Sequence, residues 1–243
     1  MSGTGYDLMN TIYSQDGRLF QLEYARKSIE GAETVVGLIC KDGVILGAEK
    51  ICSSPLLTVD ANRRVFSITE TIGMVICGRQ PDGAMVVRRA REEAEQYLSN
   101  FGRSIPGYIM AERVANFVHA HTLYGAYRPF GASFTLASWD EGKPYLYSID
   151  NSGELRGYYG MADGKGRQVA KTEIEKANKE ATVEENLKVV AKAIVAAHEE
   201  FKEKTYEFEA SWIGPQTDYK HKVVDFALRN QLKQQAEDEL DEE

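Results

Sequence analysis

A chain of 243 residues, 43% of them hydrophobic, has material for one large domain or two small ones, and its net charge of −8 excludes a basic nucleic-acid or anionic-membrane surface. Six of the last seven residues, 237–243, are acidic, and without them the charge falls to −2, so the body of the chain is near neutral. Cys40, Cys52 and Cys77 are odd in number and lack C-x-x-C spacing, no apolar run approaches the roughly 20 residues of a membrane span, and Met-Ser-Gly-Thr-Gly is no export leader; reduced thiols in cytoplasm or nucleus are expected, with no cofactor and no metal.

In chain order, the first predicted element covers residues 6–31. Ser14-Gln15-Asp16-Gly17 reads as a turn, because Ser14 and Asp16 carry short side chains that bond nearby backbone N–H groups and Gly17 tolerates positive φ. A helix follows. Phe20, Tyr24 and Ile29, with Leu22 and Ala25 beside them, recur at helical spacing, and Gly31 is placed for a left-handed stop. Arg18, Gln21, Glu23, Arg26 and Lys27 fall on the wetter side. Runs 34–40 and 44–49 are rich in β-branched residues, and Lys41-Asp42-Gly43 joins them as a hairpin. A second pair, 65–68 and 72–77, ends at Gly78. Asp82 is expected to cap a long helix with Val86, Ala90, Ala94, Tyr97 and Leu98 inside and Arg88, Arg89, Arg91, Glu92, Glu93 and Glu95 outside. Residues 101–107 break it, and Met110, Val114, Phe117, Val118 and His121 mark a further helix that stops before Arg128-Pro129-Phe130-Gly131.

From Ala132 the pattern returns to strands over 133–138, 145–149 and 154–159, with turns at 139–142 and at Asn151-Ser152-Gly153. Helices are expected over 167–178 and 183–204, the second with Leu187, Val190, Ala191, Ile194, His198 and Phe201 on one side. Residues 206–213 alternate as a strand, and 223–231 read as a closing helix. No internal repeat or linker divides the chain, so 1–235 reads as one domain and 236–243 as a disordered acidic tail. Two groups of strands, each followed by a helix pair, predict an α+β fold of sheets packed on each other with helices on the outer faces.

Tyr13, Ser14, Gln15, Asp16, Gly17, Arg18, Gln21, Glu23, Tyr24 and Ala25, behind the pair Tyr6-Asp7, resemble the N-terminal signature of proteasome α subunits. In that signature an aromatic-Asp pair precedes an aromatic-Ser-Pro-x-Gly-Arg-x-x-Gln-x-Glu-Tyr-Ala run, and Gln15 stands here where the family has Pro. The resemblance extends from about residue 5 to 212 and includes 120–123, 128–131 and 164–168. It implies a four-layer α-β-β-α sandwich of the N-terminal nucleophile hydrolase type, serving as a non-catalytic α-ring subunit of the 20S proteasome core particle. It further implies a heptameric ring with other α subunits, seating on β-ring subunits, and activators or a regulatory particle whose C-terminal tails enter pockets between α neighbours. The family's pocket uses a Lys just before the strand that here begins at Val65, which places Arg64, Gly78 and Arg79 at the pocket of this chain. The family's open gate is held by the aromatic-Asp pair, the turn Pro and the helix Tyr, carried onto Tyr6, Asp7, Gln15 and Tyr24. Proline would stiffen that turn without donating an N–H, whereas Gln15 restores a donor and loosens the backbone.

The sandwich class includes hydrolases whose nucleophile is an N-terminal Thr, Ser or Cys with its own amine as base, and that residue must begin the first strand. By the resemblance the aligned position is Glu33, whose carboxylate cannot do that job. Gly3-Thr4 imitates a processing site but would leave Thr4 on a flexible lead, away from a strand start. An active hydrolase or a free-standing binding domain is the competing reading, and it predicts a stable monomer. His119 and His121 are two apart on a helix and point in different directions, whereas helical ligand pairs sit three or four apart. Residues 160–165 have the outline of a P-loop, but the gap is three residues instead of four and Gly166 stands where Ser or Thr must hold Mg²⁺. Nucleotide binding is rejected, and a structural turn is favoured over an anion site at the helix start.

Overall fold

The computed structural model describes residues 5–52, 54, 56–58, 61–201 and 205–241. Its first half runs α1 (Phe20–Glu30), β1 (Val35–Cys40), β2 (Gly43–Ile51), β3 (Val65–Ser67), β4 (Ile72–Gly78), α2 (Gln80–Phe101) and α3 (Gly107–Leu123). Its second half runs β5 (Ala132–Asp140), β6 (Lys143–Ile149), β7 (Leu155–Gly157), β8 (Gly160–Asp163), α4 (Arg167–Glu175), α5 (Val183–Glu199), β9 (Tyr206–Ile213), β10 (Lys222–Val223) and α6 (Phe226–Asp241). Two antiparallel sheets result, one in the order β10-β9-β2-β1-β8 and the other β3-β4-β5-β6-β7.

Strand alternation decides which side chain enters which layer. In β1, Val36, Leu38 and Cys40 face the helices and pack with Ala170 and Ile174 of α4 and with Leu187, Val190 and Ile194 of α5. Val35 of β1 and Val44, Leu46 and Ala48 of β2 face the other way and meet Val75, Cys77, Ala137 and Leu146 of the second sheet. The outer face of that sheet, Met74, Ile76, Phe134 and Leu136, is covered by Val86 and Ala90 of α2 and Met110, Val114 and Val118 of α3. The layers are therefore α, β, β, α, as the resemblance implied. Between the sheets Gly37 makes room for Leu146, whose Cδ1 would lie 2.8 Å from a Cβ placed there.

Several expectations change. The sheets do not follow the two sequential strand groups: β8, β9 and β10 join the β1-β2 hairpin, and β5, β6 and β7 join β4. Residues 160–163, read as part of a glycine-rich turn, form β8 because the free edge of β1 pairs with them, Val35↔Asp163 through Leu38↔Gly160. Trp139 and Asp140, read as turn, extend β5, and the turn narrows to Glu141 and Gly142 at φ +50° and +77°. Gly31 does end α1, but at φ −96° and not in the left-handed region. Asp82 lies inside α2, whose cap position is Arg79. Glu93 is buried between Arg89 and Arg113, and Leu98 is exposed. The helix expected to reach Lys204 ends at Glu199, and residues 202–204 lie outside the described part. Finally, α6 carries the chain through Asp241 with Ala236 buried, so the expectation of a disordered tail fails for 236–241; Glu242 and Glu243 lie outside the described residues.

Helix α1 packs on β4 and β5. Its buried residue is Ile29, 1% exposed, which enters the core between the sheets and is worth about 2–3 kcal/mol of apolar burial. Phe20, Leu22, Tyr24 and Ala25 are half-buried. The turn before it closes as expected, Gly17 N–H donating to Ser14 O at 3.0 Å and Arg18 N–H to Ser14 Oγ at 3.1 Å, with Gly17 at φ +75°.

Candidate functional site

The start of β1 is where a nucleophile of this sandwich class would sit. Glu33 occupies it, and its Oε2 accepts from Arg64 Nη2 at 2.6 Å. Thr34, next in sequence, is fully buried; its backbone N–H donates to Glu49 Oε2 at 3.1 Å and its Oγ1 accepts from Gly166 N–H at 3.1 Å. Glu49 is engaged a second time, with His198 Nδ1 at 2.6 Å. The nitrogen of Thr34 is thus a bonded peptide N–H and not a free amine, and the residue before it is a paired carboxylate. The arrangement lacks the base that such a nucleophile uses. Thr4, the other candidate, lies outside the described residues.

Arg64 and Gly78 meet where β3 begins and β4 ends, and Arg79 follows Gly78 in the chain. Arg64 Nη1 donates to Gly78 O at 2.6 Å, its backbone N–H donates to Glu209 Oε2 at 2.8 Å, and the residue is only 5% exposed. Gly78 adopts φ +109°, and a Cβ there would meet Gly131 O at 2.3 Å, so only glycine fits this crossing. Arg79 is exposed, and its N–H donates to Gly131 O at 2.9 Å. It lines a cleft of about 250 Å³ with Gln21, Tyr24, Ser28, Arg128 and Pro129. The rim is fixed by Asp82, which takes both terminal nitrogens of Arg128 at 2.7 Å and the N–H of Gly131 at 2.9 Å. Burial pushes the Asp82 carboxyl up, but Arg128 and the Gly131 N–H outweigh it and hold the group below the usual carboxylate range.

Of the four gate candidates, the structure joins two. Tyr24 Oη donates to Asp7 Oδ2 at 3.3 Å, and Gln21 Nε2 donates to the backbone carbonyl of Asp7. Burial first, then the Asp7 carboxylate, raises the Tyr24 phenol above its ordinary value. Tyr6 is half-buried beside them, while Gln15 is exposed on the turn. Sequence reasoning missed Asn10, which is 7% exposed and whose side-chain amide donates to the carbonyls of His121, Tyr124 and Tyr127 at 3.2, 3.0 and 2.7 Å. A single Asn in an irregular lead carries no signal of such an anchor. His121 Nδ1 meets Phe117 O at 3.0 Å with its ring 4.3 Å from that of Phe130, and His119 Nδ1 meets Ser152 O at 2.9 Å, so the two imidazoles serve different neighbours.

Fold and site together define a four-layer sandwich of the N-terminal nucleophile hydrolase type in which the nucleophile position is filled by an ion-paired carboxylate. The family model for proteasome subunits matches residues 29–213, the model for the N-terminal signature of A-type proteasome subunits matches residues 6–27, and the chain belongs to this family. It is 44% identical over 241 residues to proteasome subunit alpha type-3 of Arabidopsis thaliana, covering 99% of this chain and 97% of that protein. To the protein of the same name in Drosophila melanogaster it is 44% identical over 222 residues, covering 91% and 88%. To the probable proteasome subunit alpha type-7 of Saccharomyces cerevisiae it is 42% identical over 227 residues, covering 91% and 79%. The chain is a non-catalytic α-ring subunit of the 20S proteasome, working in protein degradation and assembling with other proteasome subunits.

Proposed function

We propose that this subunit helps to guard the substrate entrance of the particle and docks activators on it. Its lead, clamped to α1, forms part of the gate. The cluster of Arg64, Gly78 and Arg79 receives the C-terminal tail of an activator or regulatory particle, between this chain and an α neighbour in a heptameric ring. The nucleophiles of the particle reside in the β subunits on which the ring sits. The work takes place in cytoplasm and nucleus, a reading supported by three free cysteines, Cys40, Cys52 and Cys77.

The observation that carries the gating reading is shared hardware: Gln21 and Tyr24 hold Asp7 of the lead and also line the cleft beside Arg79. A tail entering the cleft would contact the side chains that hold the lead in its open position, which couples docking to the gate. Gln15 leaves the turn looser than proline would, so the lead is held open less firmly. Deleting residues 2–5, of which 2–4 lie outside the described part, is expected to raise basal peptide hydrolysis by the whole particle, and Gln15→Pro to strengthen activator-induced opening. Unchanged basal and activated rates in both variants, with assembly intact by native mass, would assign the gate to other α subunits.

A further inference from the structure

We propose that Glu33 is a built-in competitor for the carboxylate that Arg64 receives, so that the pocket of this subunit stays closed until Glu33 is displaced. The inference rests on the pocket reading given above and adds a mode of regulation to it. The Arg64 side chain is 6% exposed and that of Glu33 22%, so of the two the carboxylate is nearer to solvent. Nη1 of Arg64 is committed to Gly78 O and Nη2 to Glu33 Oε2, both at 2.6 Å, while the buried Nε has no hydrogen-bond partner among the described residues.

Nε and Nη2 form one edge of the guanidinium plane, the edge that a carboxylate grips with two parallel N–H···O bonds. Glu33 uses half of it and leaves a buried N–H unsatisfied, which is a standing cost to the closed state. Its reach is restricted because its backbone is fixed: the Glu33 carbonyl lies 3.5 Å from Cys77 Sγ, and the next N–H is tied to Glu49. A chain-terminal carboxylate carries no such tether. Taking both N–H groups, it makes one more charge-assisted bond than it displaces, while the released Glu33 carboxylate is hydrated. Arg64 stays in place during the exchange, since its Nη1 bond to Gly78 is untouched.

The test uses assembled core particles carrying Glu33→Gln, Glu33→Asp or Arg64→Ala in this chain, with assembly verified by native mass. The probes are a short photo-reactive peptide ending in a free carboxylate and its C-terminal amide twin, and the readout is the half-maximal concentration for crosslinking to this chain. Glu33→Gln is expected to lower that concentration about threefold to tenfold for the acid and not for the amide. Glu33→Asp, one methylene shorter, should lower it by less. Arg64→Ala should abolish the preference for the acid. If the Arg64 variant behaves so but neither Glu33 variant lowers the concentration, the competitor is disproved and the pocket stands. If Arg64→Ala changes nothing, both readings fall.

Discussion

At the scale of single residues the burial of polar groups decides most of the behaviour. His221 is 7% exposed, its Nδ1 lies 2.7 Å from Ser67 Oγ, and its Nε2 has no partner among the described residues. Gly73 leaves room for the ring, since a Cβ there would come within 2.1 Å of it. Glu70 meets His221 through its backbone carbonyl, which accepts from the His221 backbone N–H, while its carboxylate pairs with Lys220. Burial therefore pushes the imidazole from 6.5 down to about 4. Because the folded value lies below the unfolded one, protonation favours unfolding: the stabilising effect of a neutral His221 is complete above pH 6.5 and lost as the pH falls to about 4. The loss amounts to about 3 kcal/mol. His221→Gln, which keeps a polar partner for Ser67, should flatten the stability curve across that window in urea titrations run at stepped pH. An equally steep acid limb in the variant would place the sensitivity elsewhere.

At the scale of elements, hairpins and long helices were legible because their signals are local. The Lys41-Asp42 turn, the period-2 strands and the spacing of Met110, Val114 and Val118 need no distant partner to be recognised. Strand β8 was not legible: four residues that begin on Gly160 and run up to Gly164 look like a turn until the free edge of β1 pairs with them. The end of α6 was misread for a related reason. Six acidic residues suggest a solvated tail, yet Ala236 is 4% exposed against the core and Glu237 accepts from Tyr206 Oη at 3.2 Å. Truncation after residue 235 is accordingly expected to destabilise the purified chain by about 1–3 kcal/mol, seen as a lower urea midpoint with little change in slope. An unshifted midpoint would mean that the last helical turns hold nothing in place.

At the scale of the whole molecule, the sandwich keeps the scaffold of a hydrolase without its reaction. Burial of Thr34 and the Glu33–Arg64 pair leave no accessible nucleophile where β1 begins. A threonine-directed covalent probe applied to the assembled particle should leave this chain at its unmodified mass of 27.2 kDa, and an adduct on Thr34 would sink the non-catalytic assignment. The sequence by itself determined the family, the α+β class and the turn and helix near the start of the chain, because fixed identities such as Tyr13 to Ala25 and the periodicities of β1, β4, α3 and α5 are written in short stretches of chain. Only the tertiary structure decided that Arg64 spends its charge on Glu33, that Asn10 anchors the lead, and that Asp82 grips Arg128 instead of capping its own helix. Each of these contacts joins residues 31 to 117 positions apart, and a buried polar group takes whichever partner the packing brings within reach.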